Sequence, residues 1–164
     1  QIIGNPRSYV PKEKDVFLIS IGDPLKREEI SNIIENRGGR FITLVHPSAK
    51  IGYNSQVGCG CILCPNVVVT SNVKIGNFVV INVNSTVGHD VIIEDGCTIS
   101  GHADVTGNCH LGKMVFVGSH ASILPGVIIE DYANIGAGSV VLNRVNSGET
   151  VMGVPARTIF RKKL

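Results

Sequence analysis

The sequence predicts a mainly β protein, a parallel β-helix of hexapeptide repeats preceded by a partial α/β unit. Seventeen aliphatic residues recur at every sixth position from Val45 to Val141 without a break. A small side chain, Ala, Ser, Cys or Val, follows four residues after each of them. Neither the period of an α-helix nor the alternation of a simple strand produces this spacing. Three hexapeptides make one triangular coil with the aliphatic side chains inside, so the repeat predicts about six coils.

Residues 1–44 do not follow the hexapeptide rule and are predicted to form a partial α/β unit. Residues 16–21 are an apolar run of strand length. Asp23 is a suitable N-cap for a helix that two glycines end, and residues 41–44 predict a second strand. Strand, helix, strand is the order found in nucleotide-binding α/β domains. This unit is too short to be a whole domain and lacks a Gly-rich phosphate loop, so we expect part of the domain to be missing from the chain.

The hexapeptide domain is predicted over residues 45–146, with a C-terminal tail over residues 147–164. Several glycines directly follow the aliphatic position, where each coil turns a corner. Because glycine adopts positive φ without strain, we expect these glycines to supply the corner conformation. They are Gly52, Gly58, Gly76, Gly88, Gly112, Gly118 and Gly136.

Composition and charge argue against several functional classes. The chain has 164 residues, of which 43% are hydrophobic and 5% aromatic, as expected for a narrow core of Val, Ile, Ala and Cys. The formal net charge of +2 comes without a long basic run, so we expect no nucleic-acid partner. Neither a membrane-spanning apolar stretch nor a signal-peptide pattern is present in the sequence, so we expect a cytoplasmic protein without a membrane span.

The five cysteines form neither a disulfide pattern nor a metal-site pattern. Cys61, Cys97 and Cys109 occupy the small inward position of the repeat, so we expect free thiols in the core. Cys59 and Cys64 flank Cys61, but the three side chains point in different directions on a coil and do not match zinc spacings. We therefore expect no metal site.

Histidine is the residue type most suited to catalysis here, and the repeat predicts what each histidine faces. Residues 18 apart stack on successive coils, so His89 should face Gly107, a position without a side chain. That gap would let an acyl thioester reach the imidazole. The backbone N–H of Gly107 could also be offered to the thioester carbonyl oxygen.

Several motifs together make the chain resemble the sialic acid O-acetyltransferase and bacillosamine or perosamine N-acetyltransferase family. The hexapeptides alone are shared with many acyltransferases, whereas the entry motif and the Gly-His-Asp motif are more selective. The motifs are His46-Pro47-Ser48-Ala49, Val87-Gly88-His89-Asp90, Ile123-Leu124-Pro125-Gly126, Ile135-Gly136-Ala137-Gly138-Ser139, Gly153-Val154-Pro155-Ala156-Arg157, and Ile21-Gly22-Asp23 followed by Arg27. The resemblance covers essentially the whole chain. It implies a left-handed β-helix, an N-terminal nucleotide-sugar domain and a homotrimer.

The resemblance also implies an activity, the transfer of acetyl from acetyl-CoA to the amino group of a nucleotide-linked amino sugar. His89 would be the general base, and Asp90 would orient it or raise its basicity. The implied coenzyme A contacts are Gly107, Gly136, Ala137, Gly138, Gly153 and Arg157. The implied acceptor contacts are Gly22, Asp23, Asn82 and Thr98.

Two positions depart from the family pattern and leave the acceptor open. Thr98 stands nine residues after His89, where members commonly have a second histidine, and it cannot share proton transfer. His102 stands where a small residue, often glycine, is usual. It is predicted to stack with His120 on the next coil, with Asn84 below the pair and Gly138 above it. O-acetylation of a sialic-type sugar acid is therefore kept as the alternative activity.

Two other functional classes share this solenoid. A γ-type carbonic anhydrase needs three zinc-binding histidines, and no pair of histidines here has the required spacing. A non-catalytic scaffold or binding protein is the second class. The presence of both His89 and Gly107 argues against it.

Overall fold

The structure is a computed structural model that describes residues 4–161. A small α/β unit comes first and comprises β1 (Val16–Phe17), α1 (Pro24–Glu35) and β2 (Arg40–Phe41). The β-helix follows, and most of its strands have two residues. In chain order they are β3 (Leu44–Val45), β4 (Lys50–Ile51), β5 (Gln56–Val57), β6 (Ile62–Leu63), β7 (Val68–Val69), β8 (Lys74–Ile75), β9 (Val80–Ile81), β10 (Thr86–Val87), β11 (Ile92–Ile93), β12 (Thr98–Ile99), β13 (Asp104–Val105), β14 (His110–Leu111), β15 (Phe116–Val117), β16 (Ser122–Ile123), β17 (Ile128–Ile129), β18 (Asn134–Ile135), β19 (Val140–Val141), β20 (Glu149–Gly153) and β21 (Ala156–Arg161).

These strands stack into three sheets that form the faces of a triangular prism. Sheet 1 contains β3, β6, β9, β12, β15, β18, β20 and β21, sheet 2 contains β4, β7, β10, β13, β16 and β19, and sheet 3 contains β5, β8, β11, β14 and β17. Parallel partners within the coils are 18 residues apart, as Thr86 opposite Asp104 shows. The predicted fold class, a left-handed parallel β-helix, is confirmed.

The predicted inward positions form the core of the prism. From Leu63 to Val141, every aliphatic residue of the ladder is at most 5% exposed. Burying each such side chain contributes roughly 1.5–3 kcal/mol. Val45 and Ile51 are 38% and 40% exposed because no coil lies beneath the first one. The hydrophobic period therefore determines both the number of coils and the contents of the core.

The corners of the coils correct one prediction about glycine. Positive φ occurs at the third residue after the aliphatic position, as at Asp90 with φ 58°. The glycines directly after the aliphatic position are instead needed where the next coil comes too close for a side chain. A Cβ at Gly88 would lie 2.5 Å from the backbone N of Gly107. The prediction that these glycines supply positive φ is wrong, since they instead let the backbones of neighbouring coils pass close together.

The α/β unit has the predicted strand, helix, strand order. β1 and β2 pair in parallel, and the Asp23 carboxylate caps α1 by accepting from the backbone N of Lys26 at 3.1 Å. Of the strand predicted over residues 16–21, only Val16 and Phe17 are regular strand. Residues 41–44 are divided, because Phe41 pairs with β1 whereas Leu44 begins sheet 1. No helix among residues 4–161 has the length and apolar character needed to cross a membrane.

A buried arginine joins the α/β unit to the β-helix. Arg27 of α1 is 0% exposed, and its guanidinium donates to the carbonyl oxygens of Phe78 at 2.9 Å, Gly96 at 2.6 Å and Cys97 at 3.0 Å. These three acceptors belong to the β-helix. The same group donates to Ile21 O at 2.5 Å within its own unit. Burial lowers the pKa of Arg27 from its usual value, and the carbonyl dipoles compensate for the lost water.

Sheet 1 continues beyond the predicted end of the hexapeptide domain. β20 pairs in parallel with β18, with Asn134 opposite Thr150. β21 then reverses direction and pairs antiparallel with β20. Within the part that the structure describes, the predicted tail over residues 147–164 therefore contains two strands, β20 and β21. The division at 1–44, 45–146 and 147–164 stays a prediction about function.

The buried thiols yield a testable prediction. Burial raises the pKa of Cys61 to about 11 and that of Cys97 to about 12, and it also raises the pKa of Cys109. Because the thiolate is the reactive form, these three should resist a maleimide in the folded protein and react after denaturation. Exposed Cys59 should label first, as mass spectrometry of native and denatured samples can show. Rapid native labelling of all five would contradict the repeat register.

Candidate active site

His89 and Asp90 form a hydrogen-bonded pair at the corner between sheets 2 and 3. The Nδ1 atom of His89 lies 2.7 Å from Oδ2 of Asp90, and the His89 side chain is 60% exposed. A carboxylate only accepts hydrogen bonds, so in the neutral imidazole Nδ1 holds the proton and Nε2 keeps a free lone pair. The bond from His89 and a weaker one from Asn72 hold the pKa of Asp90 below its usual value, although burial acts in the opposite direction.

The free nitrogen of His89 lies over Gly107, as the repeat predicts. A Cβ at Gly107 would be 2.7 Å from Nε2 of His89. The backbone is fixed at this level, since the N–H of Asn108 donates to His89 O at 2.8 Å. Any side chain at position 107 would therefore clash with the imidazole and displace it. The imidazole packs directly against the Gly107 backbone, so the gap predicted between His89 and Gly107 is absent, and an acyl group would have to approach the exposed side of the ring.

The predicted histidine column is confirmed at the corner between sheets 1 and 2. The rings of His102 and His120 stack with centroids 4.8 Å apart and an interplanar angle of 8°. Below them, Nδ2 of Asn84 lies 3.3 Å from Nε2 of His102. Gly138 occupies the next level above, where a Cβ would have no heavy atom within 4 Å.

Of the residues predicted to contact coenzyme A, Gly107 lies at the His89 corner, whereas Gly136, Ala137, Gly138 and Gly153 lie near this second corner. Gly138 has φ +66°, and its N–H donates to Ser119 O at 2.8 Å. The N–H of Gly153, at φ +105°, donates to Oγ of Ser139 at 3.1 Å, which ties β20 to the corner containing Gly136 and Ala137. Ala137 and Gly138 are both exposed. These residues form an open, largely side-chain-free edge suited to an extended ligand.

The C-terminal hairpin places Arg157 opposite Met152 in β20. The Arg157 side chain is exposed, and its Nη1 donates to Ala156 O at 3.2 Å. Its predicted contact with coenzyme A stays a prediction.

The predicted acceptor residues do not all lie together. Gly22 and Thr98 meet, because Oγ1 of Thr98 donates to Gly22 O at 2.8 Å. Thr98 is only 2% exposed and also accepts from Nη1 of Arg27 at 2.9 Å, so both functions of its hydroxyl are used within the chain. Asn82 lies apart from them, at the corner between sheets 1 and 2, and its Nδ2 donates to Ile99 O at 3.1 Å. Their binding of an acceptor stays a prediction.

The His89–Asp90 pair and the Gly138 edge predicted to contact coenzyme A lie on different corners of one chain. His89 follows a strand of sheet 2 and precedes sheet 3, whereas Gly138 lies between sheets 1 and 2. Sheet 2 therefore separates the two sets. One chain does not bring all the predicted site residues together.

A second histidine and carboxylate pair was not predicted. Nε2 of His110 lies 2.9 Å from Oε1 of Glu94 on sheet 3, and both side chains are partly exposed. The two residues are 16 apart in the sequence, so the rule that residues 18 apart stack did not predict their contact. Within residues 4–161, no three His, Cys, Asp or Glu side chains come together in a metal-binding group.

Comparison with known proteins places these features among bacterial transferases. A family model described as bacterial transferase hexapeptide (six repeats) matches residues 108–143. The GDP-perosamine N-acetyltransferase of Escherichia coli O157:H7 is 35% identical over 75 residues. That match covers 46% of this chain and 34% of the relative, so the aligned part is about a third of the curated protein.

Two solved structures are similar over most of the chain. WeeI from Acinetobacter baumannii AYE is 32% identical, with a TM-score of 0.79, over 91% of this chain and 73% of its own. PerB from Caulobacter crescentus, solved in complex with CoA and GDP-perosamine, is 26% identical with a TM-score of 0.85. That likeness covers 87% of this chain and 69% of PerB. Both matches extend across the α/β unit and the β-helix.

Proposed function

We propose that this chain acetylates the amino group of a nucleotide-linked amino sugar, because it belongs to the hexapeptide-repeat sugar acetyltransferases. That family includes the sialic acid O-acetyltransferases and the bacillosamine and perosamine N-acetyltransferases. Acetyl-CoA is the donor in this proposal. The observation that supports it most is the His89 ring, which is oriented by Asp90 at 2.7 Å and has its free nitrogen over Gly107. The CoA and GDP-perosamine bound to PerB give the ligand classes.

In the proposed reaction His89 acts as general base. Its Nε2 takes a proton from the acceptor amine as the amine nitrogen attacks the thioester carbonyl carbon. The new C–N bond forms, the C–S bond breaks, and the departing sulfur takes up the proton from the imidazole. Asp90 keeps Nδ1 protonated and stabilises the imidazolium that forms in between. In this proposal the backbone N–H of Gly107 donates to the thioester carbonyl oxygen, where negative charge develops.

Acetyl transfer is tested directly with purified protein, acetyl-CoA and a panel of nucleotide sugars. We expect mass spectrometry to show the gain of one acetyl group on a nucleotide-linked amino sugar. The matched controls are the same nucleotide sugars with a hydroxyl in place of the amine, and a free sialic acid. Acetylation of the sialic acid without any acetylation of an amine would contradict the proposed acceptor and favour the O-acetyltransferase alternative.

The separation of the site residues within one chain supports a shared site between subunits. His89 and Gly107 would meet the Gly138 edge of a neighbouring copy, as closed cyclic symmetry allows. We expect a homotrimer in sedimentation velocity at the concentrations used for the assay. A fully active monomer would disprove the shared site.

A further inference from the structure

His102 and His120 form an exposed stack that the proposed reaction does not use. Their rings are parallel within 8°, and both residues lie at the left-handed corner position, with φ of 60° and 59°. The lower ring is held by the amide of Asn84 at 3.3 Å from Nε2 of His102. Within the described residues neither histidine forms an ion pair with a carboxylate. The stack is therefore a fixed pair of flat rings on the surface rather than a charge relay.

The two faces of the stack differ. On the lower side the Asn84 amide contacts Nε2 of His102, whereas the level above His120 is Gly138, which has no side chain. A Cβ at Gly138 would meet no heavy atom within 4 Å, so this space is open. His120 consequently presents one aromatic face to solvent, immediately beneath an exposed glycine edge. Aromatic side chains with an open face stack well on nucleotide bases, because every base has a flat π surface.

We propose that the open face of His120 is a stacking platform for the purine ring of a nucleotide ligand. This inference rests on the proposed function, since the residues beside the platform, Ala137 and Gly138, are those proposed to contact coenzyme A. Two purines are available to that reaction, the adenine of coenzyme A and the base of a purine nucleotide sugar. The shared chemistry is the purine ring, and His102 supports the platform from below.

The matched variants are His120→Asn and His102→Asn. Asparagine already occupies the equivalent left-handed corner position at Asn84 and Asn108, so neither change should strain the backbone. His120→Asn removes the open face, whereas His102→Asn removes only the covered ring. Base stacking lost on substitution typically weakens binding roughly 5- to 150-fold. We expect a loss of about tenfold for His120→Asn and a clearly smaller one for His102→Asn.

Calorimetric titration of the whole protein with four probes identifies the ligand. The probes are coenzyme A, adenosine 3′,5′-bisphosphate, GDP and 4′-phosphopantetheine. Weaker binding of coenzyme A and the bisphosphate to His120→Asn, with unchanged 4′-phosphopantetheine binding, supports adenine on the platform. Weaker binding of GDP alone supports the base of the nucleotide sugar.

Three outcomes would overturn the platform. They are unchanged binding of every probe to His120→Asn, an equal loss for 4′-phosphopantetheine, which has no purine, and an equal loss in His102→Asn. The unmodified protein separates this failure from that of the proposed function. If it binds coenzyme A and transfers acetyl while His120→Asn binds equally well, only the platform is wrong. If it binds no coenzyme A at all, the acetyl-CoA activity is wrong.

Discussion

Replacing His89 with Ala is expected to lower the turnover number for acetyl transfer about 10²- to 10⁴-fold. The substitution removes the nitrogen that accepts the amine proton, while the corner position leaves the core of the β-helix intact. Acetyl-CoA affinity should change little, because a general base acts mainly in the transition state. Steady-state kinetics with acetyl-CoA and the amino-sugar acceptor, together with direct titration of the donor, measure the two effects separately.

The matched control is His110→Ala, which removes the other histidine and carboxylate pair. His110 lies 2.9 Å from Glu94 on sheet 3 and should be dispensable for turnover. Gly107→Val should behave differently from both, since its Cβ would lie 2.7 Å from Nε2 of His89 and would push the imidazole out of place, towards the bound donor. That variant should lose donor affinity as well as turnover. Near-normal turnover of His89→Ala would disprove the assignment and make His102 or His110 the next candidate.

Replacing Arg27 with Met is expected to destabilise the protein by about 3 kcal/mol or more. Methionine fills much of the same volume, but the carbonyl oxygens of Phe78 and Gly96 lose their charged donor inside the protein. Bonds from charged donors contribute roughly 1.5–3 kcal/mol each, and a buried acceptor left unpaired adds a desolvation penalty. Thermal unfolding followed by circular dichroism at fixed protein concentration should show a Tm lower by roughly 6–12 °C.

Arg37→Met is the control for this change, because Arg37 also donates to carbonyl oxygens but is exposed. Its guanidinium reaches Arg7 O at 2.6 Å and Tyr9 O at 3.2 Å, where water can replace it. We expect a change within about 0.5 kcal/mol. Equal, small effects of the two variants would show that Arg27 does not hold the α/β unit against the β-helix.

The β-helix could be predicted almost entirely because its period is fixed by packing. Each inward residue from Leu63 onward must fill the same narrow prism, so one hydrophobic pattern determines coil length, strand positions and core. The facing of His89 and Gly107 followed from the same 18-residue register. The stack of His102 on His120 also followed from the 18-residue register.

Features that depend on contacts between the two parts could not be derived from the period. Arg27 lies at helical spacing with buried Ile30 and Ile34, and this position on the apolar stripe was the available signal that it is buried. Its hydrogen-bond partners could not be predicted from the sequence, because most of them are backbone carbonyls that lie far from Arg27 along the chain. The contacts of the Thr98 hydroxyl with Arg27 and Gly22 of the α/β unit were also beyond the reach of the repeat.

The 18-residue coil also determines how this protein could change in length. Adding or removing a whole coil above Gly107 would leave every strand below it in register, because each strand pairs only with the coils directly beside it. A single hexapeptide inserted between His89 and Gly107 would instead rotate the upper part by a third of a turn. The imidazole would then face a different side of the prism. We therefore expect insertions and deletions near His89 and Asp90 to be tolerated only in complete coils.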